Sequence, residues 1–554
     1  MIAFSRVCLT ALPVIVLVIF SGCGDPGARP AKEIYAQIDS TDIDRYLQEL
    51  ASDKYMGRKP CTAAEELTIN FLRDEFANFG LQPGNGDSYF QEVPLVEITG
   101  HPAGNMTFSG QDNELNINFL DDFVIFTQRV EKQIVLNNSE LVFCGFGIVA
   151  PEYGWDDYAG IDMKGKTAVV FVNDPGYYSE DSTFFKGKTM TYYGRWTYKY
   201  EEAARQGAEG ILIVHETGAA AYPWFVVQTG GNRSKLYLES PDGNKTRCAV
   251  EGWLTLDAAR KVFQYSQLEG KNFLQMALTP GFRPMPMGIE VSTSIENEIR
   301  RDVSQNVIAK IPGTDRADEY LIYSSHWDHM GIGAPVEGDS IYNGAMDNAS
   351  GLATMLAVAK EFAEQEQKPS RTVIFLAVTA EEQGLLGSEW YAKHPLYPIE
   401  NTVANLNKDG ANVIGEMNDL TITGYGQSTL DDLAAEVAAK QDRYIAPEQF
   451  PEKGSFFRSD HFNFARVGVP AFYANGSGDH RIHGKEYAKS KSKEYVEKNY
   501  HRPSDEYYTD DWILSGIVQD AELYFNMGWR LATEPIYPQW KEGSEFKHLR
   551  ELKK

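Results

Sequence analysis

Tyr320-Leu321-Ile322-Tyr323-Ser324 is an apolar run, and Ser325-His326-Trp327-Asp328-His329 follows it directly. Further on, Gly344-Ala345-Met346-Asp347-Asn348-Ala349-Ser350-Gly351 is a glycine-bounded turn. It opens a stretch over 349–365 with Leu352, Met355, Leu356, Ala359 and Phe362 on one side, which is helical spacing. Glu381-Glu382 comes just after the continuous apolar, β-branched run 372–379, typical of a central strand covered on both faces. A strand tail, a helix-opening turn and a second strand end thus bring a histidine and three acids toward one rim.

Working outward, the pattern from 304 onward alternates strand and helix. Strands are expected at 306–311, 320–324, 372–379, 402–407, 420–424 and 469–474, and helices at 349–365, 387–393, 429–440 and 511–531. This predicts an α/β fold, a mostly parallel twisted sheet with helices on both faces. Such sheets take ligands at the carboxyl ends of their strands. Residues 39–80 read as two amphipathic helices, the second with Leu67, Phe71, Phe76 and Phe79 on one face, stopped by Gly80-Leu81-Gln82-Pro83-Gly84. Residues 101–290 differ in texture, with strands at 140–149, 166–172 and 210–215, and a helix at 198–206. No His, Cys and acid side chains cluster there at ligand spacing.

The chain has 554 residues, too long for a single core, so two or three domains are expected. Hydrophobic residues make up 43% and aromatics 12%, a globular composition. Acids outnumber bases 78 to 52, for a net charge of −26, which argues against a nucleic-acid partner. Arg6, the apolar run 7–20 and Ser21-Gly22-Cys23 form a secretory leader. A cysteine in that place resembles a bacterial lipobox, which implies cleavage before Cys23, lipid on its sulfur, and an exported, lipid-anchored location in the cell envelope. Residues 23–38 read as a tether. Cys61, Cys144 and Cys248 are an odd, widely spaced trio with neither disulfide-framework nor zinc-finger spacing.

The acids and histidines suit a two-zinc centre. Such a centre needs one acid that bridges two cations, further nitrogen and oxygen ligands for each, and a free base beside the reacting water. His326 is the first ligand, with Asp328 on the same side of the strand to steady its far ring nitrogen. Asp347 is the bridging candidate, although Asp-Asn before an apolar run also suits a helix cap. Two adjacent acids at a strand end repel unless one binds a cation and the other takes a proton. That assigns Glu382 to metal and Glu381 to general base. Asp409, in Asn407-Lys408-Asp409-Gly410, is the third acid. The second histidine is His501, with His461, His480 and His483 as competitors that spacing alone does not separate.

Six blocks occur in order: Ser-His-Trp-Asp-His-Met-Gly, Gly-Ala-Met-Asp-Asn-Ala-Ser-Gly, Thr-Ala-Glu-Glu-Gln-Gly-Leu-Leu-Gly-Ser, Asn-Lys-Asp-Gly, Arg-Ser-Asp-His-Phe and Tyr-His-x-Pro-Ser-Asp-Glu. Together they resemble the two-zinc aminopeptidases of metallopeptidase family M28. The resemblance implies that His326 and Asp409 bind one zinc, that Glu382 and His501 bind the other, and that Asp347 bridges them. It implies Glu381 as the base, Tyr500 as the group that steadies the developing oxyanion, and Arg458 and Asp460 as pocket residues. Lys408 stands where the family usually has an apolar residue, so its charge must be paired or turned away. Residues 332–343 are longer than in minimal members and are expected to loop over the pocket.

Lys164-Gly165-Lys166 and the run 204–210 resemble the protease-associated (PA) domain inserted in several peptidases. The expected layout is a leader over 1–22, a tether over 23–38 and peptidase parts at 39–100 and 291–535. A PA-like insert occupies 101–290, and a polar tail 536–554. The implied reaction is removal of N-terminal residues from peptides by zinc-activated water. The alternatives are a carboxypeptidase of the folate-hydrolase type, a glutaminyl cyclase-like acyltransferase, and a receptor without activity. Oligomeric state and the preferred side chain are not readable from the sequence.

Overall fold

The computed structural model describes residues 36–551 apart from 180, 232 and 269. The leader, Cys23, the tether up to residue 35 and the end of the tail lie outside the described residues. Among the described residues no helix is long and apolar enough to cross a membrane. Cys61, Cys144 and Cys248 are free, the last two buried.

Seven strands carry the part that holds the site: β1 (Phe90–Pro102), β2 (Met285–Ile311), β3 (Arg316–His326), β4 (Arg371–Val378), β5 (Thr402–Asn407), β6 (Asp419–Ile422) and β7 (Ala471–Asn475). Their spatial order is β1-β2-β4-β3-β5-β7-β6. The four in the middle, β4, β3, β5 and β7, are parallel. β2 runs antiparallel to β4, and β6 antiparallel to β7. β3, β4 and β5 are buried along most or all of their length, as the continuous apolar runs require.

Seven helices matter here: α1 (Ser40–Leu50), α2 (Ala63–Asn78), α3 (Ser350–Glu364), α4 (Leu386–Lys393), α5 (His461–Arg466), α6 (Gly484–Lys498) and α7 (Ser515–Thr533). Alternation along the strands sends side chains to opposite faces. Tyr323 and Phe375 stack on one face, where Phe76 of α2, Phe362 of α3 and Phe525 of α7 gather. Ile322, Ile374 and Leu376 meet Tyr391 of α4 and Phe464 of α5 on the other. The Asp39 carboxylate caps α1 by accepting from the Thr41 amide at 2.9 Å. In α2 the buried face is Ile69, Leu72 and Phe76, while Leu67 is 40% exposed, so the apolar face predicted from sequence is turned from the real one.

Residues 103–284 hold hydrophobic clusters of their own, with Phe143 ringed edge-on by Phe171, Phe263, Phe273 and Phe282. Gln133–Phe143, Thr167–Phe171, Gly210–His215 and Val250–Thr255 are mutually parallel. With the helices Trp196–Arg205 and Leu256–Tyr265, this region is mixed α/β. β2 serves both regions. It pairs with Gln133–Phe143 and with β1, and its last residues pair with β4.

Candidate metal centre

His326 ends β3, Glu381 and Glu382 follow β4, and Asp409 follows β5. These are the carboxyl ends of three adjacent parallel strands, where open α/β sheets take ligands. Asp347 arrives from the turn before α3. Gly344 opens that turn at φ 57°, where a Cβ would lie 2.3 Å from the Asp347 carbonyl oxygen and 2.5 Å from the His329 ring. Only glycine fits there. Asp347 has φ −114° and ψ 89°, outside helical values, which turns it out of the helix entry. The Asp347–Asn348 peptide is cis.

The five residues predicted to be ligands meet in one place. The two oxygens of Asp347 face different donors: Oδ1 is 3.3 Å from His326 Nε2, and Oδ2 is 3.3 Å from His501 Nε2. On the first side Asp409 Oδ1 lies 3.1 Å from His326 Nε2. On the second, Glu382 Oε2 lies 3.2 Å from His501 Nε2. Two ligands each about 2.0–2.1 Å from one tetrahedral zinc stand about 3.3 Å apart. The spacings therefore suit donors that share a cation. Glu381 Oε2 sits 4.0 Å from His326 Nε2.

Electrostatics follow from packing so many acids together. Burial opposes the Asp347 carboxylate, but hydrogen bonds from His326 and His501 outweigh it and hold the group well below its ordinary range. Burial and the Asp347 charge oppose Glu382, yet His501 and His329 bring it down to about 2. Glu381 goes the other way. Burial pushes it well above the ordinary range, His326 opposes the shift, and the charges of Asp409, Glu382 and Asp460 add to it. The two adjacent glutamates are therefore driven apart, as different roles require.

Several side chains whose roles the sequence did not disclose hold this geometry. His329 is fully buried with Nδ1 2.6 Å from Glu382 Oε1, so His329, Asp347 and Glu382 form a second group able to hold a cation beside His326, Glu381 and Asp409. Asp505 accepts from the amides of Met346 at 3.0 Å and Asp347 at 3.1 Å. Arg58 is buried and donates to the carbonyls of Trp327, Leu50, Asn343 and Gly344, tying both loops together. Asn348 Oδ1 accepts from Gly351 and Gly410, bridging the Asp347 turn to the Asp409 loop. His329, Asn348 and Asp505 all stood in quoted motifs, but nothing in their spacing assigned them these partners.

Two expectations are corrected and one is refined. Asp328 reaches His326 Nδ1 most closely through its backbone carbonyl, at 3.1 Å, with its carboxylate Oδ1 at 3.9 Å; the carboxylate also accepts from the amides of Glu381 at 2.9 Å and Glu382 at 3.3 Å. Asp460 is fully buried behind the cavity wall and does not line it, whereas Arg458 does. Residues 332–343 form no loop over the pocket. They contribute to a hairpin of Gly331–Val336 with Asp339–Tyr342, packed on the 53–58 turn. The cavity, about 840 Å³, is instead walled by Lys491 and Tyr495 of α6 and by Tyr500, Tyr508 and Trp512. The Tyr500 ring stacks on His501 with centroids 3.8 Å apart. His461 is buried against Phe456 and Tyr473. His480 bonds to the Ile414 carbonyl and stacks on His483.

The sequence model of peptidase family M28 matches residues 306–525. Among curated relatives, Aminopeptidase NAALADL1 of Mus musculus is 32% identical over 174 residues, covering 29% of this chain and 21% of the relative. Probable glutamate carboxypeptidase AMP1 of Arabidopsis thaliana is 24% identical over 288 residues, 47% of this chain and 35% of the relative. The chain thus spans about a fifth to a third of the length of these relatives. A solved aminopeptidase from Aneurinibacillus sp. strain AM-1 is 18% identical, with a TM-score of 0.48 and coverage of 90% of this chain and 97% of that one.

Proposed function

We propose that the chain is a zinc-dependent exopeptidase that removes N-terminal residues from peptides. His326 and Asp409 would hold one ion, Glu382 and His501 the other, and Asp347 would bridge them. The observation that carries this reading is the split of the Asp347 carboxylate, each oxygen 3.3 Å from a different histidine, in a cavity that Glu381 also lines. The donor set also fits. It is nitrogen and carboxylate oxygen throughout, and a cluster so rich in buried acids is balanced only by added positive charge. Zinc bound there would supply Lewis acidity toward a peptide carbonyl and acidify water.

The chain's own groups do the rest. Glu381, pushed up by burial, is suited to take a proton from water and hand it to the leaving amine. Asp328 fixes both glutamate amides, so Glu381 and Glu382 keep different directions. Tyr500, at the cavity wall beside His501, is placed to donate to a developing oxyanion. The acids at the rim suit the free ammonium of the substrate. Hydrolysis of amino-acid anilides that is abolished by chelator and restored by zinc, with about two zincs per chain, is the expected result. Absence of zinc-dependent turnover on any peptide or anilide would remove the reading.

Residues 101–290 are read as a PA-like insert, and Cys23 as a lipid attachment point that keeps the enzyme in the cell envelope. A carboxypeptidase of the glutamate type is the second reading, favoured by one observation: Arg458 lines the cavity without an acid partner among the described residues.

A further inference from the structure

Lys408 is where this chain departs from the family pattern, and its effect reaches the cavity. It follows β5, and its side chain is buried. Its ammonium donates to the Asp520 carboxylate at 3.2 Å, to the Ala474 carbonyl at 3.3 Å and to Asn475 Oδ1. The Ala474 amide donates to Tyr524 Oη at 3.0 Å, and the Gly476 amide to Asp520 at 3.3 Å. The backbone on both sides of Asn475 is thus tied to one buried network.

An ammonium has donors and no acceptor, so it fixes which end of the Asn475 amide it meets. Oδ1 is turned to Lys408, and Nδ2 must face the other way. Asn475 lines the cavity, and its Nδ2 makes one long contact, 3.5 Å to Tyr473 Oη. That hydroxyl gives its own hydrogen to the Asp409 carbonyl at 2.6 Å. One Nδ2 hydrogen is therefore left with no acceptor among the described residues.

Position says which part of a substrate meets that hydrogen. Asn475 ends β7, which pairs with β5, the strand that leads to Asp409. Neighbouring strands lie about 4.8 Å apart, so the amide stands beside the ligand cluster rather than within it. Tyr473 joins it to Asp409. With the substrate amine among the acids and its carbonyl at the metal centre, the side chain of the same residue is the part left to reach Asn475. Glu494, Asp505, Glu506 and Asp511 also line the cavity and disfavour a carboxylate there. A neutral carboxamide offers an acceptor without the charge.

We propose that Asn475 is a specificity residue that donates to the side-chain carbonyl of an N-terminal glutamine or asparagine. Lys408 is the positioning residue that aims it. The inference rests on the exopeptidase reading above and names the kind of N-terminal residue the cavity selects.

The test compares the anilides of glutamine, norleucine and glutamate on the zinc-loaded protein. Norleucine has a similar reach and no acceptor. N475L keeps the shape of the side chain and removes the donor. It is expected to lower the glutamine-to-norleucine ratio of kcat/KM about tenfold from the wild-type value. K408M should lower the same ratio, with K408R keeping part of it. Loss of zinc or of folded protein lowers both rates alike and leaves the ratio unmoved. The wild-type protein should prefer glutamine to glutamate. A ratio within about twofold of wild type in N475L or in K408M, or a preference for glutamate, would overturn the proposal. Should K408M not fold, N475L decides. If no anilide turns over, the exopeptidase reading fails separately. Calorimetric affinities of glutaminamide and norleucinamide for wild type and N475L then decide the subsite by the same ratio.

Discussion

Lys408 and Asp409 are neighbours in sequence, yet they end in opposite kinds of polar surroundings. Lys408 turns inward and bonds to Asp520 at 3.2 Å, to the Ala474 carbonyl and to the Asn475 side chain. Arg443 holds the other Asp520 oxygen at 2.9 Å. That network is buried, and its charged groups pair with one another. Asp409 turns to the cavity, into a cluster where acids outnumber histidines. Burying charge is costly in both places. The difference teaches that a closed network meets the cost with its own partners, whereas an acid-rich cluster open to a cavity awaits a cation. The Lys408 departure from the family pattern is resolved by this pairing.

The sharpest way to break the contrast is at Asp347. Asp347→Asn should abolish peptide turnover and lower bound zinc, read by elemental analysis; full zinc content with wild-type rates would end the bridging role. Glu381→Gln should keep the metal and slow turnover by about 10²–10⁴-fold, since it removes the proton carrier alone. Asp520→Asn tests the closed network. It should cost about 3–5 kcal/mol in chemical denaturation because two buried cations lose their acid, without altering zinc stoichiometry. His329→Gln loosens Glu382 and should weaken zinc affinity by about 10–100-fold in competition with a chelator.

The smallest effect is on pH. In the folded protein burial opposes the charged form of His501, but Glu382 and Asp347 raise it to about 10 from 6.5. The folded state therefore holds this proton more tightly than the unfolded chain does. Its contribution to the stability of the zinc-free protein is fully present below about pH 6.5 and is lost as pH rises through about 10. Denaturant midpoints of chelator-treated protein should fall across that window, with a shallower slope in His501→Gln.

Much of the centre was legible because its residues follow strand ends in a fixed order. Apolar runs announced β3, β4 and β5, and the acids and histidine sit just beyond them. What escaped was support through backbone atoms. Arg58 holds four carbonyls, and Asp328 works through its own carbonyl on one side and two amides on the other; no side-chain pattern records such bonds. His329 was in plain view, yet its partner Glu382 lies beyond the end of another strand. Leu67 misled because one helical face of α2 was chosen by apolarity alone, and tertiary packing chose another. Residues 332–343 misled because length suggested a loop, while β-pairing with a tight Glu337-Gly338 turn made a hairpin.

β2 gives this architecture a practical corollary. One extended segment of 27 residues supports the inner edge of the insert and also borders β4, the strand that leads into Glu381. Cutting out 103–284 would strip partners from half of that beam and leave a bare, adhesive sheet margin. Expression trials should therefore keep both regions on one polypeptide.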